Sequence, residues 1–216
     1  MTLLSTRKST LRKNGIARRR RLLDAARLLL QDQDLDEISL GDVAAEAKVP
    51  KGSAYHFYSD IKDLYVSLLA DVEKELQKIL QAPIRRRVDS WANVVEILNE
   101  RGMKYYAKHA ASMKLQVGAK TPPDLKLHDR KSDVDLGKIY EQQINVFFEL
   151  PDINNRSTIF FRAIEIADLM FSLSVLEHGY ITPEMEEEAK RAMCGYLSCY
   201  IPKELPRRKR NGSKKV

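Results

Sequence analysis

The sequence has few of the residues that mark secreted, membrane-spanning or disulfide-rich proteins. Its 216 residues include two cysteines, one tryptophan, eight prolines and nine glycines. No apolar run approaches the roughly 18 residues of a membrane span. No apolar block follows the basic N-terminus as it would in a signal peptide. We therefore expect a cytoplasmic protein.

Residues that carry catalysis are also sparse. Cys194 and Cys199 are five apart, a spacing that matches no metal motif, and they read either as reduced core or interface thiols or as a redox sensor. No Ser/His/acid set and no glycine-rich phosphate loop is present. We therefore predict no enzyme activity, no metal site and no cofactor. The four histidines are scattered, at His56, His109, His128 and His178.

Acidic residues are scarce at both ends of the chain, and this uneven distribution says more than the net charge of +7. Residues 1–21 carry eight positive charges and no acid, and residues 203–216 carry a net +6. The body between them is acidic. Basic ends on an acidic body favour arms that follow a polyanion such as DNA. The C-terminal run is equally consistent with a solvated tail or the scar of a tag.

Alternating strand patterns are absent, and apolar residues recur at helical spacing along most of the chain. The hydrophobic fraction of 44% is enough for a buried core. The pattern predicts an all-α protein of about nine helices. One long interruption is predicted, a loop from Gly118 to Asp133 around Pro122-Pro123, with the next helix starting at Val134.

Residues 39–64, SLGDVAAEAKVPKGSAYHFYSDIKDL, read as two short helices joined by a tight turn, with a third helix beginning at once. Ser39 and Asp42 form the pattern of a capping box, and Asp60 and Asp63 repeat it. The first helix cannot continue regularly through Pro50. Two short helices in this order are typical of a helix-turn-helix that binds DNA.

This stretch, with LLDAARLLL at residues 22–30, resembles the N-terminal DNA-binding domain of the TetR family of bacterial transcription regulators. Two departures stand out. Lys48 occupies a turn position where the family usually has glycine, which implies either a slightly strained turn or a different one. Pro50 supplies no capping oxygen to the recognition helix. The resemblance implies an N-terminal three-helix DNA-binding domain followed by a helical ligand-binding and dimerisation domain.

The resemblance also implies which residues contact DNA. The start of the recognition helix would meet phosphate, Tyr55 and His56 would face the major groove, and Ser39 and Lys62 would hold the backbone on either side. Phe57 and Tyr58 would pack against the first helix. The predicted DNA-binding residues are Ser39, Lys51, Gly52, Ser53, Tyr55, His56 and Lys62. Arg7 to Arg21 form a separate hypothesis, a basic arm for an adjacent minor groove.

For the C-terminal half, the resemblance implies a homodimer through residues 157–178 and 183–200, and a cavity for a small, largely apolar effector. Arg162, Glu165 and Asp168 cluster on an otherwise apolar helix and could be ligand anchors, interface ion pairs or solvated groups. An aromatic and methionine pattern is also typical of plain core. The candidate effector-binding residues are Trp91, Met103, Tyr106, Met113, Phe147, Phe148 and Met170.

The predicted domains are a flexible basic arm at 1–14, a DNA-binding domain at 15–64, a ligand-binding and dimerisation domain at 65–202, and a disordered basic tail at 203–216. The implied function is a repressor that binds a near-palindromic operator as a dimer and is released when its effector shifts the fourth helix. The alternative is an architectural or nonspecific DNA-binding protein without an effector. A palindromic consensus among selected DNA sequences would separate the two.

Overall fold

The computed structural model describes residues 3–208, with side chains from Asn14 onward. Within these residues the fold is all-α, as predicted, and the only strand-like pairing is an isolated bridge between Phe148 and Arg207. The nine helices are α1 Leu3–Asp32, α2 Leu40–Glu46, α3 Lys51–Phe57, α4 Ile61–Gln81, α5 Trp91–Tyr106, α6 Ala110–Gln116, α7 Pro123–Phe147, α8 Arg156–His178 and α9 Pro183–Ser198.

The first helix begins earlier than the sequence analysis predicts. The backbone is helical from Leu3, whereas the first helix was expected only after Gly15 and residues 1–14 were expected to be a flexible arm. Residues 3–14 contain neither proline nor glycine, so nothing in their sequence ends a helix. The side chains of the predicted arm up to Lys13 lie outside the described residues, and its contact with DNA stays a prediction.

The predicted loop from Gly118 to Asp133 is wrong for most of its length. Only residues 117–122 connect α6 to α7, and α7 begins at Pro123 rather than at Val134. Pro123 stands in the first turn of the helix, where its missing N–H costs nothing. The mixed charges that suggested a loop include Asp129 and Asp133, and both are buried by tertiary packing.

The first compact unit consists of the residues up to Val72 together with His109–Lys126. It therefore contains α1 to α3 and also α6, which the predicted boundaries of 15–64 do not include. Lys114 Nζ donates to the Gln33 carbonyl at 2.8 Å, and Lys120 Nζ lies 3.0 Å from Asp34 Oδ2. These contacts fasten α6 and the turn after it to the end of α1.

The second unit consists of Glu73–Lys108 together with the residues from Leu127 onward. Its core is made by the C-terminal part of α4, by α5, and by most of α7, α8 and α9. Gly179 ends α8 with a left-handed φ of 79°, and Thr182 caps α9 ahead of Pro183. Both helix ends are those that the sequence predicts.

The beginning of the C-terminal tail packs on this unit. Residues 203–208 were predicted to be disordered, but Arg207 stacks its guanidinium 5.3 Å from the Phe148 ring centroid and donates to the Val88 carbonyl at 2.8 Å. Arg208 donates to Asn145 Oδ1 at 2.8 Å. A planar guanidinium can stack and hydrogen-bond at the same time, which a charge count does not reveal. Residues 209–216 lie outside the described residues.

Candidate DNA interface and effector cavity

The capping box at the start of α2 forms as predicted. The Ser39 backbone N–H donates to Asp42 Oδ2 at 2.9 Å, and the Asp42 backbone N–H donates to Ser39 Oγ at 3.2 Å. Leu40, Val43 and Ala44 form the buried face of this helix. The box therefore fixes where α2 begins and keeps Ser39 exposed at the surface.

The turn between α2 and α3 is left-handed at Lys48, where φ is 53°. The Val49 N–H donates to the Ala44 carbonyl at 2.9 Å and the Lys48 N–H to the Ala45 carbonyl at 3.0 Å. This pair of bonds is a Schellman motif, which normally places glycine at the left-handed position. Lysine there costs about 1 kcal/mol of backbone strain, as the sequence departure implied.

Helix α3 turns most of its side chains to solvent. Ala54 is its one buried residue, and Pro50 precedes it without a side-chain cap. Tyr55 is 49% exposed, and Lys51 Nζ lies 6.0 Å from its ring centroid. A β-carbon added at Gly52 would meet no atom within 4 Å. A seven-residue helix with one buried side chain therefore presents a polar and aromatic face.

The structure brings all the predicted DNA-binding residues to the surface of the first unit. Six are exposed and one, Ser53, is partly buried; the set is Ser39, Lys51, Gly52, Ser53, Tyr55, His56 and Lys62. Tyr58 is buried as predicted, and its hydroxyl accepts from Arg19 Nε at 3.0 Å. A β-carbon at Gly15 would lie 3.9 Å from the Phe57 ring, so Phe57 also packs against α1.

Two arginines of the basic N-terminal run have structural partners that sequence reasoning missed. Arg19 also donates to Ser67 Oγ at 2.9 Å. Arg20 pairs with Asp71 at 3.0 Å and with Asp24 at 3.0 Å. The hydrogen bond to Tyr58 is the main cause that raises the pKa of Arg19. Through Ser67 and Asp71 these arginines join α1 to α4, and the long separation in sequence left no signal for those two contacts. The Arg20–Asp24 pair has the i, i+4 spacing of a local helical ion pair.

The second unit contains a small cavity of about 40 Å³. Its wall is mainly apolar, and its polar members are Asn99, Asp168 and two tyrosines, Tyr106 and Tyr140. Water-sized cavities of this volume hold one or a few molecules, whereas drug-sized ligands fill about 300–1,000 Å³. The apolar lining comes from Leu76, Leu80, Gly102, Met103, Leu136, Ile164, Ala167 and Phe171.

Asn99 is the most informative residue of this wall. Only 5% of its surface is exposed, and its Oδ1 accepts from the Tyr140 hydroxyl at 2.7 Å. Its Nδ2 is buried and has no hydrogen-bond partner among the described residues. A buried amide left unpaired costs about 1–3 kcal/mol. The side chain is therefore held by Tyr140 and has an N–H donor to offer at the cavity.

Three aspartates meet beside the cavity. The carboxylate oxygens of Asp129, Asp133 and Asp168 lie within 4.8 Å of one another. Asp129 is 5% exposed and Asp133 is 2% exposed. Burial and then the charges of Asp168, Asp129 and Glu165 hold the pKa of Asp133 far above its usual range. We call Asp129, Asp133 and Asp168 the aspartate cluster; a site of this kind could hold a cation.

Two neighbouring groups respond to the same negative potential. Burial and the charge of Asp129 raise the pKa of Glu73 to about 7. Burial and the charge of Asp168 raise the pKa of Tyr106 well above its ordinary value. Glu165, which also acts on Asp133, forms an ion pair with Arg130 Nε at 3.1 Å. The cavity end nearest the aspartate cluster therefore favours positive charge.

A glycine on α7 brings the aspartate cluster together. A β-carbon at Gly137 would lie 2.8 Å from Phe161 N and 2.9 Å from Phe160 C. The backbones of α7 and α8 thus approach more closely at this point than a side chain allows. Asp133 stands one helical turn before Gly137. The sequence signal was the i, i+4 spacing of Asp129, Asp133 and Gly137, which the predicted loop obscured.

The predicted effector-binding residues lie in several places. Met103 and Tyr106 line the cavity. Trp91 is buried elsewhere and donates from Nε1 to the Pro202 carbonyl at 2.9 Å. Met113 belongs to the first unit, and Met170 is partly buried on α8. Phe148 lies beneath Arg207, and Phe147 lines an open, arginine-rich cleft of about 680 Å³.

Both cysteines are free thiols in the second unit. Burial raises the pKa of Cys194 to about 11, which suppresses the reactive thiolate. Cys199 is exposed at the end of α9. Of the two interpretations left open by the sequence, the structure favours a reduced thiol over a redox sensor for Cys194, which is partly buried.

Family models match both parts of the chain. The model described as "Bacterial regulatory proteins, tetR family" matches residues 22–68. The model described as "Tetracyclin repressor-like, C-terminal domain" matches residues 89–201, more than half of the chain. The chain belongs to the TetR family. It is therefore a DNA-binding transcription regulator and not an enzyme.

Solved TetR-family structures share the fold at low sequence identity. A regulator from Streptomyces coelicolor is 20% identical with a TM-score of 0.65, over 85% of this chain and 99% of that one. A regulator from Rhodococcus sp. RHA1 is 18% identical with a TM-score of 0.62, over 85% and 97%. The multidrug binding protein EbrR complexed with ethidium is 22% identical with a TM-score of 0.59, over 83% and 98%.

These identities establish the TetR fold and nothing finer. No curated protein sequence matches the chain. Among the described residues, none of the helices combines the length and the apolar character needed to traverse a bilayer.

Proposed function

We propose that this TetR-family regulator binds a near-palindromic operator as a homodimer in the cytoplasm, and that a small effector in the cavity of the second unit releases it. The observation that carries the proposal is the course of α4. Its first turn follows the exposed α3, and its last two turns supply Leu76 and Leu80 to the cavity wall. One helix thus begins in the DNA-binding unit and ends at the cavity wall.

The exposed face of α3 supports DNA binding through the major groove. Lys51, Tyr55 and His56 are available as donors, and Gly52 leaves room for a phosphate to approach the backbone. We assign the contacts to the seven predicted residues, with Ser39 and Lys62 on the phosphates at either side.

An apolar stripe on α8 supports dimerisation. Leu169, Leu173 and Leu176 recur at helical spacing and are exposed in the single chain, as are Tyr180 and Tyr200 nearby. Contiguous exposed apolar residues of this size mark an interaction surface. A two-fold dimer through α8 and α9 would place its recognition helices one DNA turn apart, about 34–36 Å.

The small volume of the cavity supports release by population shift. An effector larger than the cavity of about 40 Å³ must displace its wall, including the α4 leucines. The effector needs only a higher affinity for the displaced form than for the DNA-bound form. EbrR, a relative of the same fold, is described as binding ethidium, which supports a small-molecule site in this domain.

A selection from random double-stranded DNA tests the proposal against the architectural alternative. Full-length protein is incubated with a randomised library at near-physiological salt, and the bound fraction is sequenced over successive rounds. Enrichment of a two-fold symmetric sequence is the expected result. No enrichment over the starting library would favour an architectural protein instead.

A further inference from the structure

We propose that the cavity beside Asn99 takes an organic cation, with an apolar ring system between α5 and α8, its positive end towards the aspartate cluster and a hydrogen-bond acceptor opposite Asn99. This inference rests on the proposed function, because it names the chemical class of the effector. It differs from the small, largely apolar effector that the sequence suggests, since it requires a positive charge.

The charge requirement comes from geometry. Three carboxylates converge within 4.8 Å, two of them almost fully buried, and Asp168 belongs to both the cluster and the cavity wall. Like charges this close in a low-dielectric interior repel strongly. A bound cation lowers this repulsion, as protonation does. Asp168 is the member of the cluster that lines the cavity, so a cationic N–H donor in the cavity can pair with it.

The acceptor requirement comes from Asn99. Its Nδ2 is a buried donor with no partner among the described residues, and the bond from Tyr140 to its Oδ1 fixes the direction of the amide. A ligand oxygen at this position would satisfy the N–H. The observation is independent of the carboxylates and comes from a different helix, α5.

The apolar remainder of the wall distinguishes an organic cation from a bare metal ion. A divalent metal bound by the three aspartates would use neither the Asn99 donor nor the leucine, isoleucine and phenylalanine side chains of the cavity. Met103 on the same wall has a flexible side chain that can make room for a ring. The open arginine-rich cleft is a weaker candidate, because Arg86, Arg87, Arg207 and Arg208 already have partners.

Pairs of isosteric probes test the inference on full-length protein. Each pair consists of an aromatic amidinium and the neutral amide of the same shape: benzamidinium with benzamide, 4-methoxybenzamidinium with 4-methoxybenzamide, and the corresponding naphthalene pair. Dissociation constants are measured by isothermal titration calorimetry. At least one amidinium should bind about ten-fold or more tightly than its amide. Asp168→Asn should remove the difference, and Asp152→Asn, an exposed carboxylate outside the cavity, should preserve it.

Asn99 provides a second comparison. Asn99→Leu should weaken the binding of 4-methoxybenzamidinium, because its ether oxygen can accept a hydrogen bond from Nδ2. The affinity for benzamidinium should be nearly unchanged. Circular dichroism verifies that each variant is folded. If a folded Asn99→Leu variant binds neither probe, the assigned orientation is contradicted.

Three outcomes would overturn the inference. The first is that the amides bind as tightly as the amidiniums in every pair, and the second is that no amidinium binds at millimolar concentration. The third is that Mg²⁺, Ca²⁺ or Mn²⁺ binds at the aspartate cluster and excludes the amidiniums. Operator release is measured separately by fluorescence anisotropy. A cation that binds without releasing DNA would contradict the proposed effector control but not the site. A neutral compound that occupies the cavity and releases DNA would contradict the cation site but not the proposed effector control.

Discussion

Arg19 Nε donates to the Tyr58 hydroxyl at 3.0 Å, and this bond joins α1 to the residue that ends α3. Tyr58 is 2% exposed, so its hydroxyl depends on this partner. A basic residue that the sequence groups with a DNA-binding arm therefore holds the recognition helix in place. Part of the basic run near the N-terminus therefore has a structural role.

Removing this bond should destabilise the protein. We expect Arg19→Ala to lower the free energy of unfolding by about 1–3 kcal/mol, because it leaves the buried Tyr58 hydroxyl unpaired. Arg18→Ala is the matched control, since Arg18 is exposed on the same turn, and should change stability by less than about 0.5 kcal/mol. Urea unfolding measures both. Equal effects of the two substitutions would contradict the structural role of Arg19.

Gly52 provides a test of the DNA-facing surface that leaves the fold intact. A β-carbon there meets no protein atom within 4 Å, so Gly52→Ala should keep or slightly raise the melting temperature. We expect the same methyl group to weaken operator binding by about ten-fold, because it blocks close approach of a phosphate. Fluorescence anisotropy on the selected operator measures the affinity. Unchanged affinity would place Gly52 away from DNA.

Gly137 tests the close contact between α7 and α8. Gly137→Ala should lower the free energy of unfolding by about 1–3 kcal/mol, since its β-carbon would lie 2.8 Å from Phe161 N. Gly102→Ala, in α5 and with nothing within 4 Å of the added β-carbon, is the control and should not destabilise. Thermal denaturation compares them. If both glycines tolerate alanine, α7 and α8 are not packed as described.

The buried carboxyls should make stability depend on pH. The pKa of Glu73 is raised from 4.5 to about 7 by burial and Asp129, and that of Asp133 is raised by burial and its carboxylate neighbours. The folded protein therefore holds protons that the unfolded chain releases. The stability from these protons is fully present below about pH 4.5 and is lost as the pH rises through about 7 and beyond.

The measurement is the melting temperature of Asp133→Asn and Glu73→Gln across this range. Each variant should gain stability relative to the wild type as the pH rises from about 5 to about 8, because it removes a carboxylate that is costly to ionise. Other charged groups also act on these carboxyls: Lys74 and Asp135 on the pKa of Glu73, and Glu165 on the pKa of Asp133. Each carboxyl is therefore tested by its own substitution. A difference that does not change with pH would contradict the raised pKa values.

The α8 stripe should control assembly. Leu173→Glu places a charge in the middle of the proposed interface, so we expect a monomer at micromolar concentration and about 100-fold weaker operator binding. Leu127→Glu, at an exposed leucine on α7, is the control. Sedimentation velocity measures the oligomeric state. A Leu173→Glu protein that remains dimeric would move the interface elsewhere.

Local signals in the sequence predicted the helix ends well. The Ser39–Asp42 box and the α9 start at Thr182-Pro183 each depend on residues within a few positions of one another. Gly179 ends α8 for the same reason. Such features are determined by backbone geometry and short-range hydrogen bonds, which a sequence displays directly.

Long-range contacts account for what the sequence did not predict. The mixed charges around Asp129 and Asp133 suggested a loop, but both side chains are buried on α7, about one turn before the point where Gly137 allows α8 to approach closely. The sequence around Asn99 does not distinguish it from other polar residues of a helix. Its role depends on Tyr140, 41 positions away, whose hydroxyl donates to its amide oxygen. Arg207 similarly packs on the second unit because its guanidinium stacks on the Phe148 ring. Each of these residues acquires its role only through a partner distant in sequence.

The most direct test of the central claim is a hydroxyl-radical footprint of the protein on its selected operator. A dimer that uses α3 for recognition predicts two protected patches related by a two-fold axis and separated by about one helical turn, 34–36 Å. Addition of a releasing ligand should abolish both patches together. A single patch, or uniform protection along the fragment, would contradict the account.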